Sequence, residues 1–133
     1  MSATSDFQAP FADFLGIKLT HVSPERIEAE LLVRHELATV PDIMHGGAVM
    51  ALADNLGGVA TVVNLPKGAR TATIESKTNF FAAIPVGETA RAECTPLHRG
   101  RTTMVWQTKI MRQDGRLCAL VIQTQIMIPA DKG

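Results

Sequence analysis

The sequence predicts an α+β fold in which an antiparallel β-sheet wraps around one long central helix. Two patterns carry that expectation. From Gly46 to Val63 the chain is apolar nearly all round (Val49, Met50, Leu52, Leu56, Val59, Val63). That texture marks a helix buried on most sides, and the run is too long for an ordinary strand. After Arg70 the residues alternate in strand-like runs, split by turn residues, to the end of the chain.

The elements follow in order. Phe7, Phe11, Phe14 and Leu15 fall at helical spacing and end at Gly16, predicting a short helix over 7–15. A turn at Ser23-Pro24 leads into a first strand over Arg26–Val33, where Ile27, Ala29, Leu31 and Val33 alternate with Arg26, Glu28 and Glu30. Pro66 and Gly68 stop the long helix. Strands are then predicted over Arg70–Phe81, Thr89–Leu97, Thr102–Met111 and Leu117–Ile128. Ile84-Pro85-Val86-Gly87, Arg99-Gly100 and Asp114-Gly115 divide them. The order is α-β-α-β-β-β-β, with the last four strands read as one meander. There is no internal repeat or low-complexity linker, so residues 1–133 read as a single domain with loose termini at 1–6 and 130–133.

Composition narrows the function classes. Thirteen Lys plus Arg balance thirteen Asp plus Glu. No overall charge therefore draws the chain to nucleic acid or to an anionic membrane. Five Phe, one Trp and no Tyr argue against a base-stacking surface. No apolar run reaches the length of a membrane span, and Met1 to Pro10 has neither a positive cluster nor an apolar core, so a cytoplasmic location is expected. Cys94 and Cys118 form no CxxC pair and sit among strand-like residues, which predicts buried, reduced thiols. The four histidines (His21, His35, His45, His98) show no ligand spacing, so no metal is expected.

Asp54 is the one charged residue between His45 and Lys67. A carboxylate inside an apolar helix is costly unless it is paired, hydrogen-bonded or near water. It reads either as a solvent-facing residue where the helix emerges or as a general base or nucleophile. His45-Gly46-Gly47 favours the second reading. It follows Pro41 and opens the helix, where backbone N–H groups are free and glycine lets a ligand oxygen approach closely. Gly46 and Gly47 are thus candidate oxyanion donors, with His45 orienting or polarising the same group. Taken alone, His45 reads equally as a helix-start histidine bonded to a neighbouring loop. Nine residues of helix place His45 and Asp54 roughly 13.5 Å and half a revolution apart. If both act on one substrate, they come from different subunits, and a two-fold homodimer with antiparallel helices gives two equivalent sites.

His45-Gly46-Gly47-Ala48-Val49-Met50-Ala51-Leu52-Ala53-Asp54 closely resembles the signature of hotdog-fold thioesterases of the phenylacetate-degradation (PaaI-like) branch. The resemblance runs from about Pro10 to Ile128. It includes the segment Pro10 to Ile17, the strand Thr73 to Phe81 and the basic turn Arg99-Gly100-Arg101. It implies hydrolysis of acyl-CoA, coenzyme A being part of the substrate rather than a cofactor. Asp54 then acts as base or nucleophile, the Gly46 N–H polarises the thioester carbonyl and His45 supports it, with the carboxylate coming from the partner subunit. Thr73 occupies the position of a Ser or Thr that helps hold the attacking water, although it also reads as a polar residue on an exposed strand face. Thr39 stands where many relatives have Asn or Gln, and Asp42 where many have Gly. Thr39 can still donate a hydrogen bond, and Asp42 is expected to face solvent.

CoA phosphates call for cations near the groove mouth. Arg99 and Arg101 flank a turn glycine and Lys67 and Arg70 follow the helix; a solvated charged loop explains either pair as well. Met50 and Phe80 are the acyl-contact candidates. A homodimer, or a homotetramer built as a dimer of dimers, is the expected assembly, with no nucleic acid or membrane partner. The competing function is a hotdog module that binds acyl-CoA or an acyl carrier without catalysis, but binding alone gives no reason to bury Asp54. A hotdog hydratase ranks third, because its Pro-rich motif around the His is missing.

Overall fold

The computed structural model describes residues 8–131. Helix α1 spans Pro10–Leu15 and ends on Gly16 at φ 90°, the left-handed cap its sequence predicts. The predicted start at Phe7, the predicted loose end at 1–6 and the last two residues of the one at 130–133 lie outside the described residues. Strands β1 (Lys18–Val22) and β2 (Ile27–Leu32) follow, then a 3₁₀ turn at His35–Leu37 and two short strands, β3 (Ala38–Thr39) and β4 (Ile43–Met44). Helix α2 runs over Gly46–Val62. Strands β5 (Arg70–Phe80), β6 (Thr89–Arg99), β7 (Thr103–Met111) and β8 (Leu117–Ile128) complete the chain.

Six strands form one antiparallel sheet in the order β1-β2-β6-β7-β8-β5. The sheet curls around α2, as expected. Two details differ from the sequence reading. The first strand precedes the Ser23-Pro24 turn rather than following it, because β1 and β2 form a hairpin across that turn. The last four strands are also not one meander. β5 crosses to the far edge and pairs with β8, leaving β6-β7-β8 as the meander.

The sheet covers one side of α2 and leaves the other open. Val49, Leu52, Ala53, Leu56, Val59 and Ala60 bury against the inner face of the sheet, with Trp106, Ile110 and Val121 beneath them. Gly47, Met50, Asp54 and Val62 stay exposed. The helix is therefore covered on one side rather than on most sides, and Asp54 is exposed in the single chain. A polar pin sets its height on the sheet: the Trp106 Nε1–H donates to Thr61 Oγ1 at 2.8 Å, and the Thr61 hydroxyl donates to the Gly57 carbonyl at 2.8 Å. Cys94 and Cys118 are free and buried, as the sequence reading expects.

In β5 the register against β8 slips by one residue between Thr73 and Glu75, a β-bulge. Side chains alternate along a strand, so Thr73 and Phe80, seven apart, would face opposite ways on a regular one. The bulge puts both on the α2 side: Thr73 pairs with Gln125 and Phe80 with Ala119, and both β8 partners are buried under the helix.

Candidate functional site

The start of α2 is fixed by hydrogen bonds around it. The His45 N–H donates to the Leu37 carbonyl at 2.8 Å, and the Met44 N–H to the Ile84 carbonyl at 2.8 Å. His45 is the N-cap residue, and its Nδ1 accepts from the Gly47 N–H at 2.8 Å. That bond uses the Gly47 donor, so Gly47 supports the cap rather than a ligand. In the neutral imidazole it also leaves the ring proton on Nε2, where it can donate outward. The Gly46 N–H, first in the helix, meets no backbone acceptor among the described residues. Of the candidate oxyanion donors, Gly46 is the free one.

Asp42 has φ 70°, in the left-handed region where glycine is at ease and Asp is tolerated better than most residues. This is why Gly suits the position; the Asp side chain there is exposed, as expected.

Gly46 opens onto a largely apolar cleft of about 330 Å³, lined by Thr39, Val49, Phe80, Ile84 and Cys118 among others. A methyl group on Gly46 would stand 3.2 Å from Phe80 Cζ, so the ring closes on the glycine. Burial pushes the Cys118 thiol above its ordinary value. Met50 is exposed on the open face of α2 and lines neither this cleft nor the one beside Asp54.

Asp54 lines a separate cleft of about 310 Å³ with Asn55, Gly58, Thr71, Thr73 and Gln125. The Thr73 hydroxyl donates to Asp54 Oδ1 at 2.6 Å, and Gln123 Nε2 donates to the same oxygen at 3.2 Å. Among the described residues Oδ2 accepts no hydrogen bond. Thr73 thus spends its proton on the carboxylate, and itself accepts from Gln125 Nε2 at 2.5 Å. Gln123 and Gln125 were not singled out in the sequence. Their signal is two glutamines at i and i+2 on the same strand face as the buried Ala119 and Val121.

The basic candidates divide. Arg99 donates to the Pro24 carbonyl at 3.2 Å and to Asn64 Oδ1 at 3.4 Å, and lies 3.8 Å from Glu25. It braces the β1–β2 turn instead of facing a cleft. Arg70 and Arg101 are exposed and form no ion pair among the described residues. Both lie at the sheet end where β5 begins and the β6–β7 turn meets β8. Lys67, in the turn after α2, is exposed. No helix among the described residues is long and apolar enough to cross a membrane.

Comparison with known proteins bears on this geometry. Residues 42–119, from the cap turn through α2 into β8, match the thioesterase superfamily. A 1,4-dihydroxy-2-naphthoyl-CoA hydrolase of Escherichia coli is 31% identical over 105 residues, which cover 79% of this chain and 76% of that protein. A crystal structure of a thioesterase from Haemophilus influenzae superposes with a TM-score of 0.83 at 28% identity, covering 89% of this chain and 82% of that one. The phenylacetic acid degradation protein PaaI of Thermus thermophilus shares the fold, with a TM-score of 0.81 at 24% identity over 89% of this chain and 98% of that one.

Proposed function

The chain belongs to the thioesterase superfamily, and from that premise we propose that it hydrolyses acyl- or aryl-acyl-CoA at two equivalent sites, each shared by two copies of the chain in the hotdog fold. One observation carries the reading. Gly46 and Asp54 lie on the open side of one helix, yet line separate clefts. Eight residues of helix put them about 12 Å apart, too far to hold one reacting carbonyl between them. Each half has what the other lacks: Gly46 a free N–H, Asp54 a free carboxylate oxygen.

The bare edge of the sheet supports the pairing. β5 is an eleven-residue edge strand, and the backbone on its outer side pairs with no strand among the described residues. Long unpaired edges are normally covered or paired. Antiparallel pairing of two β5 edges about a two-fold axis sets the two α2 helices side by side and antiparallel, Gly46 of one facing Asp54 of the other.

In that site the Gly46 N–H and His45 Nε2–H of one copy donate to the thioester oxygen as charge builds on it. Asp54 of the other copy supplies Oδ2. As a base, it takes a proton from the water that adds to the carbonyl carbon, the C–S bond breaks, and the proton passes to the departing CoA thiolate. As a nucleophile, it adds to the carbonyl carbon and expels the CoA thiolate, leaving an anhydride that water cleaves to the free acid and the restored carboxylate. The acyl group occupies the apolar cleft beside Gly46, whose lining carries no charged side chain. Arg70 and Arg101 are the cations best placed to meet CoA phosphates.

Mixing two dead variants tests the shared site. Asp54→Asn and Gly46→Pro are each inactive as homodimers. A heterodimer of the two keeps one intact site, so an equilibrated mixture recovers about a quarter of wild-type thiol release by random pairing. Proline suits the first helical position, and the extended backbone of His45 accepts a following proline. A mixture that stays dead under conditions of proven exchange overturns the shared site. A chain that binds aroyl-, arylacetyl- and medium-chain acyl-CoAs without releasing thiol from any of them overturns catalysis.

A further inference from the structure

We infer that Gln123 and Gln125, two glutamines buried in β8 beneath α2, are positioning residues that fix which oxygen of Asp54 reacts. The inference rests on the function proposed above and assigns a task to residues outside the reacting set. Both side chains are essentially inaccessible, at 0% and 1% exposure. Burying an amide is unfavourable unless its polar atoms are bonded, and an apolar residue would fill the same space at no such cost. Gln123 Oε1 is buried without a partner among the described residues, so Gln123 sits there despite an unmet acceptor.

The direction of the hydrogen bonds shows what the pair accomplishes. The Thr71 hydroxyl lies 2.9 Å from Gln125 Oε1 and 3.0 Å from the Ile126 carbonyl, and has one proton for the two. The direction is set from the other end: a carboxylate oxygen only accepts, so the Thr73 proton is turned onto Asp54 Oδ1 and Gln125 Nε2 donates to Thr73 Oγ1. Gln123 Nε2 adds a second donor to that oxygen. Two donors occupy Oδ1 and the carboxylate plane is pinned, so Oδ2 is the atom presented to the cleft. With one tied oxygen and one free, Asp54 needs no rotation to meet the substrate.

The helix makes room for this from above. A methyl group on Gly57 would come within 2.3 Å of Gln123 Cδ, so the amide lies flat against the glycine backbone. The Gly57 carbonyl is itself held by Thr61, which accepts from Trp106. Gly57 stands one helical turn beyond Asp54, and at that point the helix rests directly on the glutamine that orients the carboxylate.

The test is steady-state kinetics of the full chain on the acyl-CoA it cleaves fastest, for Gln123→Met, Gln125→Met and Thr71→Val, with melting temperature and oligomeric state measured in parallel. Methionine keeps the length of the side chain and removes the donor. The expected result is a ten- to hundredfold fall in kcat for each glutamine variant, with KM within twofold of wild type. Thr71→Val, which touches neither Asp54 nor its donors directly, lowers kcat three- to tenfold, again with KM held. It stands as the working variant if a core substitution prevents folding. A merely structural role would lower stability and active fraction, leaving the kcat of the folded enzyme at its wild-type value; unchanged kcat in the folded glutamine variants, or in Thr71→Val, overturns the inference. If Asp54→Asn is dead while those variants stay fast, only the positioning claim falls. If Asp54→Asn itself turns over, the proposed function falls with it.

Discussion

The two ends of the open face of α2 solve different problems with different materials. At Gly46 the chemistry comes from the backbone: one N–H, a cap that removes its neighbour from play, and a ring of apolar side chains. At Asp54 it comes from side chains, in a hydrogen-bond chain that begins at Thr71 in β5 and passes through β8. The first half depends on space, since a side chain on Gly46 would require the Phe80 ring to give way. The second depends on the direction of its donors. A backbone donor needs only a helix that starts in the right place, whereas a carboxylate free to rotate has to be held.

That contrast can be broken most sharply by deleting each half. Asp54→Asn is expected to lower kcat by about 10³ or more, in the range lost with an essential base or nucleophile. Gly46→Pro removes the N–H at a helix start that proline accepts and also presses its ring against Phe80, and is expected to cost about 10² or more in kcat. Equal and small losses would show that the halves do not act on one carbonyl.

His45→Ala sharpens the difference next. Loss of the cap costs about 1 kcal/mol, and with it a few degrees of melting temperature. If His45 Nε2 also serves the thioester, kcat falls beyond what the stability loss explains. A variant that melts early but turns over normally would make His45 a cap alone.

The smallest effect concerns Cys94, which lies under the helix away from both halves. Burial pushes its thiol up to about 12, outweighing the opposite pull of the nearby Thr108 hydroxyl. Its ionisation is therefore easier in the unfolded chain than in the folded one. Between the ordinary value of 9.0 and about 12, the unfolded state loses protons that the folded state keeps, so stability falls as pH rises through that window. Thermal melts across that range should decline less steeply in Cys94→Ala. Identical slopes would show that Cys94 is not the group responsible.

Much of this was legible because it is local. The apolar run of α2, its glycine-rich start and the isolated acid are written within ten residues, and His45 as a helix-start residue follows from its place before Gly46. The position of β5 was not legible, because strand order depends on contacts between distant segments. β1 was missed because Lys18, Thr20 and His21 give an edge strand little apolar alternation. The glutamines were missed for a different reason: a polar residue in a strand reads as outward-facing, and only the bulge and the pairing show that these point in. The sequence leaves Asp54 open between a solvent-facing and a buried place, because an apolar run does not show that a sheet covers only one side of a helix.

The slip in β5 has a consequence for how such an enzyme can change. Without the extra residue at Ile74, Thr73 and Ser76 would stand two apart on a regular strand and still face the same side, so a deletion there leaves Ser76, Thr78 and Phe80 pointing inward. A deletion farther along has the opposite effect: loss of Lys77 would swing Thr78 and Phe80 outward and turn Asn79 toward the core. Point substitutions after the slip can remodel the acyl cleft while Thr73 keeps its grip on Asp54. Evolution along this strand is therefore free to change letters, but can change length only at the slip.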